Sequence, residues 1–192
     1  SISAKWQFEW EIDFIKSKKI GLFTRFTKAK PIFPFLYAFQ NIVQNDQDFK
    51  LCIYGNGEPE EEGFMDHIRL LNIEKNVDFK GHSNDVVESA INDRISLVFA
   101  HSYHKVPGGF ASFQLSSAGI PQLFFEMIPQ KIFFSNEDDF YFTNSISDLT
   151  EKTIELFSKP NNTKSIAVNQ FDKNKRERDI SKNILLLEKY LS

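Results

Sequence analysis

Short apolar runs alternate with amphipathic stretches along most of the chain. The runs are KIGLFT (19–24), FKLCIYG (49–55), VDFKG (77–81), ISLVFAHS (95–102), PQLFF (121–125) and, as a further candidate, KIFFS (131–135). They are apolar on both faces rather than alternating, as strands buried between two helical layers should be. Between them the spacing predicts helices. PIFPFLYAFQNIVQND (31–46) has apolar residues at 32, 35, 36, 39, 42 and 43, with Pro31 and Pro34 in the tolerated first turn. EEEGFMDHIRLLN (60–72) puts Phe64, Ile68 and Leu71 on one face and carboxylates at its positive end. SNDVVESAINDR (83–94) opens with Ser83 and Asn84 as candidate caps. A fourth helix is expected over about 111–118, stopped by Gly119, and two more over 145–159 and 179–192.

Strand–helix–strand spacing of this kind implies a parallel sheet with right-handed crossovers. The expected class is α/β, a Rossmann-like parallel sheet flanked by helices. Residues 1–18 read as a lead-in segment that packs on something, and 19–160 as the domain itself. The polar, poorly periodic stretch 160–179 reads as a loop, so that 161–192 becomes a loop and a C-terminal helix packing back on the domain or on another one.

Composition narrows the function classes. A chain of 192 residues has room for one substantial core, and a pI near 5.8 argues against a general nucleic-acid binder. No apolar run is long enough to cross a bilayer, and residue 1 is Ser, so the expectation is a piece of a longer cytoplasmic protein, peripheral at the inner membrane face if membrane-associated at all. The single cysteine, Cys52, reads as a small core residue. The 21 Phe are taken as core filler and as the codon usage of an A- and T-rich genome.

Ligands of open α/β sheets bind at the C-terminal strand ends near the switch in strand order, which makes four loops candidates. TRFTKAKP (24–31) carries Arg25, Lys28 and Lys30, and reads either as a solvated loop or as a seat for an anion such as phosphate. GNGEPEEE (55–62) is a turn in which Gly55 and Gly57 let the backbone approach a neighbour. HSYHKVPGGFAS (101–112) places Gly108 and Gly109 before a helix, where free N–H groups either cap or face a phosphate or sugar. SSAGIPQLFFE (116–126) ends one helix and starts the next strand. His101 and His104 share the third loop without an evident third metal ligand, so no metal is assigned. EPEEE (58–62) and NEDD (136–139) read as solvated turns. Ser102 and Ser112 near those histidines lack a G-x-S-x-G elbow, and no G-x-G-x-x-G follows the first strand.

Taken in order, these features resemble the C-terminal half of a GT-B glycosyltransferase of the family four type. That family has an Arg, four residues, then Lys-Gly after a strand; Arg25 and Lys30 keep the spacing, with Pro31 in the place of the Gly. IYGNGEP (53–59) resembles its VGDGP-like turn, VDFKG its V-x-F-x-G strand, LVFAHS its VFVLPS strand, and SSAGIPQL its A-x-G-x-P-V helix end. The resemblance spans residues 19 to about 125. It implies that Arg25 and Lys30 bind the diphosphate of a UDP- or GDP-linked sugar, with Gly55, Gly57, Gly108, Gly109 and Gln114 around the nucleotide or sugar. It implies no further cofactor, and an acceptor site on an N-terminal domain outside this chain.

One departure weighs against transfer. The family carries two glutamates eight positions apart, and counting back from Gly119 these fall on Val106 and Gln114. An amide at Gln114 can still bond a ribose hydroxyl; Val106 offers nothing polar. The catalytic group is therefore unassigned. A second resemblance, on SAGIPQ (117–122), is to non-catalytic GT-B-like components of accessory Sec systems, which help to glycosylate and export adhesins. It implies the alternative of an adaptor with a protein partner and no chemistry of its own.

Overall fold

β1 (Lys19–Arg25), β2 (Lys50–Asn56), β3 (Val77–Gly81), β4 (Leu97–Tyr103), β6 (Gln122–Glu126) and β7 (Tyr141–Thr143) pair in parallel, in the order β3-β2-β1-β4-β6-β7. The structure, a computed structural model, describes residues 6–27, 32–60, 63–103, 106–107, 109–126 and 141–178. The fold is α/β, as expected from the apolar runs. One strand breaks the parallel pattern: the two-residue β5 (Val106–Pro107) folds back antiparallel on Ser102 and Tyr103 of β4. The strand at 141–143 was not anticipated, and the candidate at 131–135 lies outside the described residues.

Alternation along the strands divides the core into two faces, because successive side chains point to opposite sides. Ile20, Leu22, Leu51, Ile53, Leu97, Phe99, Leu123 and Phe125 face one side. They meet α1 (Phe33–Asn45), α2 (Phe64–Leu70) and α5 (Ile146–Ser158) through Phe35, Phe39, Ile42, Phe64, Ile68, Leu149 and Leu156. Cys52, Tyr54 and Val98 face the other side, toward Ala90 of α3 (Val86–Asn92), Leu115 of α4 (Gly109–Ser117) and the lead-in residues Trp10, Phe14 and Ile15. The helix α6 (Pro160–Arg178) straddles the division, with Ile166 in the first cluster and Ala167 in the second.

The helix starts follow local chemistry. Pro34 sits within the first turn of α1. The cap of α3 is Asp85 rather than Ser83 or Asn84: its carboxylate accepts from the N–H of Val87 and Glu88 at 2.9 and 3.0 Å. A carboxylate at that position satisfies two orphan donors at once. Ser145 caps α5 in the same manner through Asp148 N–H. α4 closes in a Schellman turn, with Ile120 N–H bonded to Leu115 O and Gly119 N–H to Ser116 O, and Gly119 at φ 75°.

The stretch 160–178, expected to be a loop, is a 19-residue helix. Its buried positions are Thr163, Ile166, Ala167, Gln170, Lys173 and Asn174, a helical stripe with offsets of three and four. Only two of those six are apolar, so a reading of apolar periodicity passes over it. The helix expected at 179–192 lies outside the described residues.

Of the lead-in segment, residues 6–18 are described, and they pack on the domain. Gln7 N–H bonds Ser117 O at 3.2 Å, and Glu9 and Trp10 N–H both reach Ala118 O. Trp10 Nε1 donates to Ser96 O at 3.1 Å. Trp6 stands edge-on to Phe113 and Phe171, and Phe8 edge-on to Phe171. A side chain at Gly119 would collide with the ring of Phe8, so this glycine serves both the helix stop and the strap across it.

Candidate functional site

The strand order reverses between β1 and β4, since β1 connects outward to β2 while β4 connects outward to β6. This is the switch point at which such sheets bind ligands, outside the carboxyl ends of the strands. The last pair joining the two strands is Leu22 with Phe99; three residues further along each lie Arg25 and Ser102. The loop with Arg25 and the chain leading to α4 therefore leave the sheet side by side.

Arg25 is exposed and, among the described residues, forms no ion pair. Lys28, Lys30 and Pro31 lie outside the described residues. Behind Arg25 the backbone is held tightly. Phe26 N–H bonds Asn56 O at 2.9 Å, and the ring of Phe26 packs against Phe64 and Phe79. Gly55 and Gly57 explain how the two strand ends come so close. A Cβ on Gly55 would collide with Thr24 O, and one on Gly57, at φ 108°, would stand 3.0 Å from Phe26 O. The neighbour these glycines accommodate is thus the exit of β1 itself, and they support the loop that presents Arg25.

Beyond β4 the chain turns through β5, which includes Val106, before α4 begins. Gly109 opens α4 at φ 68° and is exposed, with nothing within 4 Å of where a Cβ would stand. Its neighbour Phe110 is 55% exposed. The helix starts two residues earlier than the pattern suggested, so Gly109 is its first residue; Gly108 lies outside the described residues. Gln114 is half-buried, and its carbonyl accepts from Ser117 Oγ at 2.7 Å. In this helix the first and last turns carry no acidic residue.

His101 is buried with its ring edge-on to Phe35 at 4.8 Å. Among the described residues no three His, Cys, Asp or Glu side chains are grouped to hold a metal ion; His104 is not one of those residues. Ser112 is buried and donates to Gln122 Oε1.

Two polar networks, one half-buried and one buried, lie elsewhere on the sheet, and neither was legible as a site. Tyr54 donates its hydroxyl to Asp93, whose other oxygen accepts from Lys80 at 3.3 Å, while Lys19 bonds the Asp93 carbonyl at 3.0 Å. Burial pushes the Tyr54 phenol well above its ordinary value, and the bond to Asp93 adds to this. Burial also acts to raise the Asp93 carboxyl, but hydrogen bonds from Tyr54 and Lys80 and the nearby lysine charges outweigh it and hold it low. Burial pushes the Cys52 thiol up to about 11. The second network centres on Gln122, which stands where the family pattern has Val. It is fully buried and bonded to α4 and α6. A glutamine inside an otherwise apolar strand run was the available signal.

A parallel sheet with its switch point at β1/β4, a cationic β1 exit and a glycine-led helix after β4 give the architecture of a GT-B C-terminal domain. The sequence profile described as "Glycosyl transferases group 1" matches residues 5–178, and the chain belongs to that family. A sequence search of curated proteins gives no match. Among solved structures, the chain is similar to a TarM variant of S. aureus in complex with fondaparinux, alpha-GlcNAc-glycerol and UDP, at TM-score 0.73 and 21% identity. That match covers 98% of this chain and 36% of TarM, so the chain spans about a third of that protein. It is also similar to HepE of Anabaena in complex with UDP-glucose, at TM-score 0.73, 17% identity and coverage of 94% and 50%. The third is the C-terminal domain of a glycosyl transferase group 1 family protein (LpcC) from Francisella tularensis, at TM-score 0.69 and 16% identity. There the match covers 93% of this chain and 98% of the other, so the similarity is to one whole domain. No helix of the described residues is long and apolar enough to cross a membrane.

Proposed function

We propose that this chain is the donor-binding domain of a glycosyltransferase and holds the diphosphate of a nucleotide sugar at the β1/β4 switch point. The observation that carries this reading is Arg25: an exposed guanidinium, free of any ion pair among the described residues, on a strand exit braced by Gly55 and Gly57. An unpaired Arg at such a strand end is matched to a diphosphate by its fork of donors. Lys30 is the second cation assigned to that charge. Gly109, the first residue of α4, offers a backbone N–H group to that diphosphate or to the sugar, Gly108, which precedes it in the sequence, is assigned to the same ligand, and Gln114 offers an amide to a ribose hydroxyl. The acidic overall balance is no obstacle, because the field in a crevice is local.

UDP is the first donor base to try, because TarM and HepE were solved with UDP or UDP-glucose; GDP is the second. The acceptor belongs to a domain outside this chain. Transfer chemistry would need a group that neither Val106 nor Gln114 supplies, and this favours a second reading, an adaptor that binds a protein or glycan and transfers nothing.

Calorimetric titration with UDP, GDP and UDP-glucose, repeated on an Arg25→Ala/Lys30→Ala double variant, separates the two. Each lost charge-assisted bond is worth about 1.5–3 kcal/mol, so the double change should weaken UDP on the order of a hundredfold or more. Equal binding by both proteins would remove the cations from the donor site. No binding of any nucleotide by the unchanged chain would leave the adaptor reading in front.

A further inference from the structure

Gln122 is the first residue of β6, fully buried, and hydrogen-bonded on three sides. Its side-chain N–H groups donate to Ser112 O at 2.9 Å and Ser116 Oγ at 2.8 Å, and its Oε1 accepts from Ser112 Oγ. Its backbone N–H donates to Gln170 Oε1 at 2.9 Å, and its carbonyl accepts from Gln170 Nε2 at 2.9 Å. The amide of Gln170 thus takes up both backbone groups of Gln122, the residue before Leu123, which pairs with Tyr141 of β7. One side chain and one backbone unit thereby tie α4, β6 and α6 together.

The buried positions of α4 itself are Ser112, Leu115, Ser116 and Ser117. One apolar anchor in four is little against the lateral freedom of a nine-residue helix, because apolar burial is the usual source of helix docking. The hydrogen bonds of Gln122 supply the missing register, and they grip α4 at Ser112, one turn from its exposed first residue, Gly109. Directional bonds fix position more narrowly than apolar contact does.

We infer that Gln122 is a positioning residue: with Gln170 it sets where the N-terminus of α4 stands, and through it the backbone N–H groups offered to the donor. The last clause rests on the donor-binding reading; the positioning of α4 does not.

Gln122→Val removes the side-chain bonds, and Ser116→Ala removes one of them if the first variant folds poorly. Ile42→Val and Ile42→Ala, on the opposite face, supply controls spanning a similar loss of stability. Amide hydrogen exchange of Phe113–Ser117, whose N–H groups bond back within α4 from Gly109 O onward, and the affinity for UDP are measured on the full chain at a temperature where each variant is folded. The expected result is faster exchange confined to α4 in Gln122→Val, a smaller change in Ser116→Ala, and UDP bound about tenfold more weakly, with both Ile42 variants unchanged in both readouts. Exchange in α4 no faster than in the Ile42 controls overturns the inference whatever UDP does. Faster exchange with undiminished UDP affinity overturns its link to the ligand. If the unchanged chain binds no UDP while α4 still loosens in Gln122→Val, the positioning of α4 stands and the donor reading falls.

Discussion

The two faces of the sheet are held by different forces. On the α1, α2 and α5 face the contacts are almost wholly apolar, with Phe35, Phe39, Ile42 and Phe64 buried to about 1% exposure or less. The buried threonines of α5 bond mainly within their own helix: Thr153 bonds Leu149 O, and Thr150 bonds Ile146 O at 2.8 Å and reaches Ala38 O of α1 only at 3.5 Å. On the other face the apolar cluster is thinner, and polar groups bond between elements. Gln122 and Gln170 link α4, β6 and α6, Tyr54 and Lys80 converge on Asp93, and Trp10 reaches Ser96 O. Apolar burial is strong and tolerant of small shifts; hydrogen bonds between elements are weaker in net terms but specify a position. The face that carries α4, the helix beside the switch point, is the one held by specification.

Changes on each face test that contrast. Phe39→Ala should cost the most, about 3–5 kcal/mol, because it leaves a large void among close-packed side chains; denaturant unfolding measures it, and a loss under 1 kcal/mol would mean that the first face is loosely packed. Gln122→Ala should cost roughly 1–3 kcal/mol, since its partners on α4 are left unsatisfied in the interior.

The alkaline limb is of similar size. The Cys52 thiol ordinarily titrates near 9.0 and is held up to about 11 in the folded chain. Between those values the unfolded chain loses a proton that the folded chain keeps, so stability falls as pH rises through this window, by on the order of 2–3 kcal/mol in full. Tyr54, raised by the same burial, extends the fall to higher pH. Unfolding of the Cys52→Ala variant should show a shallower slope between pH 9 and 11, and identical slopes would refute the assignment. At the acid end the sign reverses. The depressed Asp93 carboxyl contributes stability above its ordinary range and loses it as pH falls below that, an effect that Asp93→Asn should abolish.

The smallest effect belongs to Arg25→Ala, which should leave stability within about 0.5 kcal/mol, because the side chain is exposed and makes no ion pair among the described residues. A larger loss would make Arg25 a structural cation and weaken its claim on a ligand.

Legibility followed the same division. Apolar runs on β1, β2, β4 and β6 and the stripe of α1 read directly as elements, since what buries them is what the pattern counts. The candidate site was legible at Arg25 and at the glycine turn after β2, because spacing along one strand exit is local information. α6 was not: Thr163, Gln170, Lys173 and Asn174 keep helical spacing, but polar residues carry it, with Thr163 bonded to Leu156 O of α5, Gln170 to Gln122 of β6, and Asn174 to Gln170 O of its own helix. Gln122 was likewise an unremarked letter after Gly119-Ile120-Pro121 until Ser112, Ser116 and Gln170 surrounded it.

The sequence by itself determined the layered α/β class, the strand and helix order over residues 19–126, and a cationic strand exit, since each depends on periodicity and spacing within a short window. Only the tertiary structure decided that the strand order reverses between β1 and β4, that β5 folds back before α4, and that polar side chains set the position of α4. Those are pairings between residues far apart in the chain. A hydrogen bond such as Gln170 to Gln122, 48 residues apart, leaves no local signature, because its donor and acceptor become a buried pair only when the chain has folded around them.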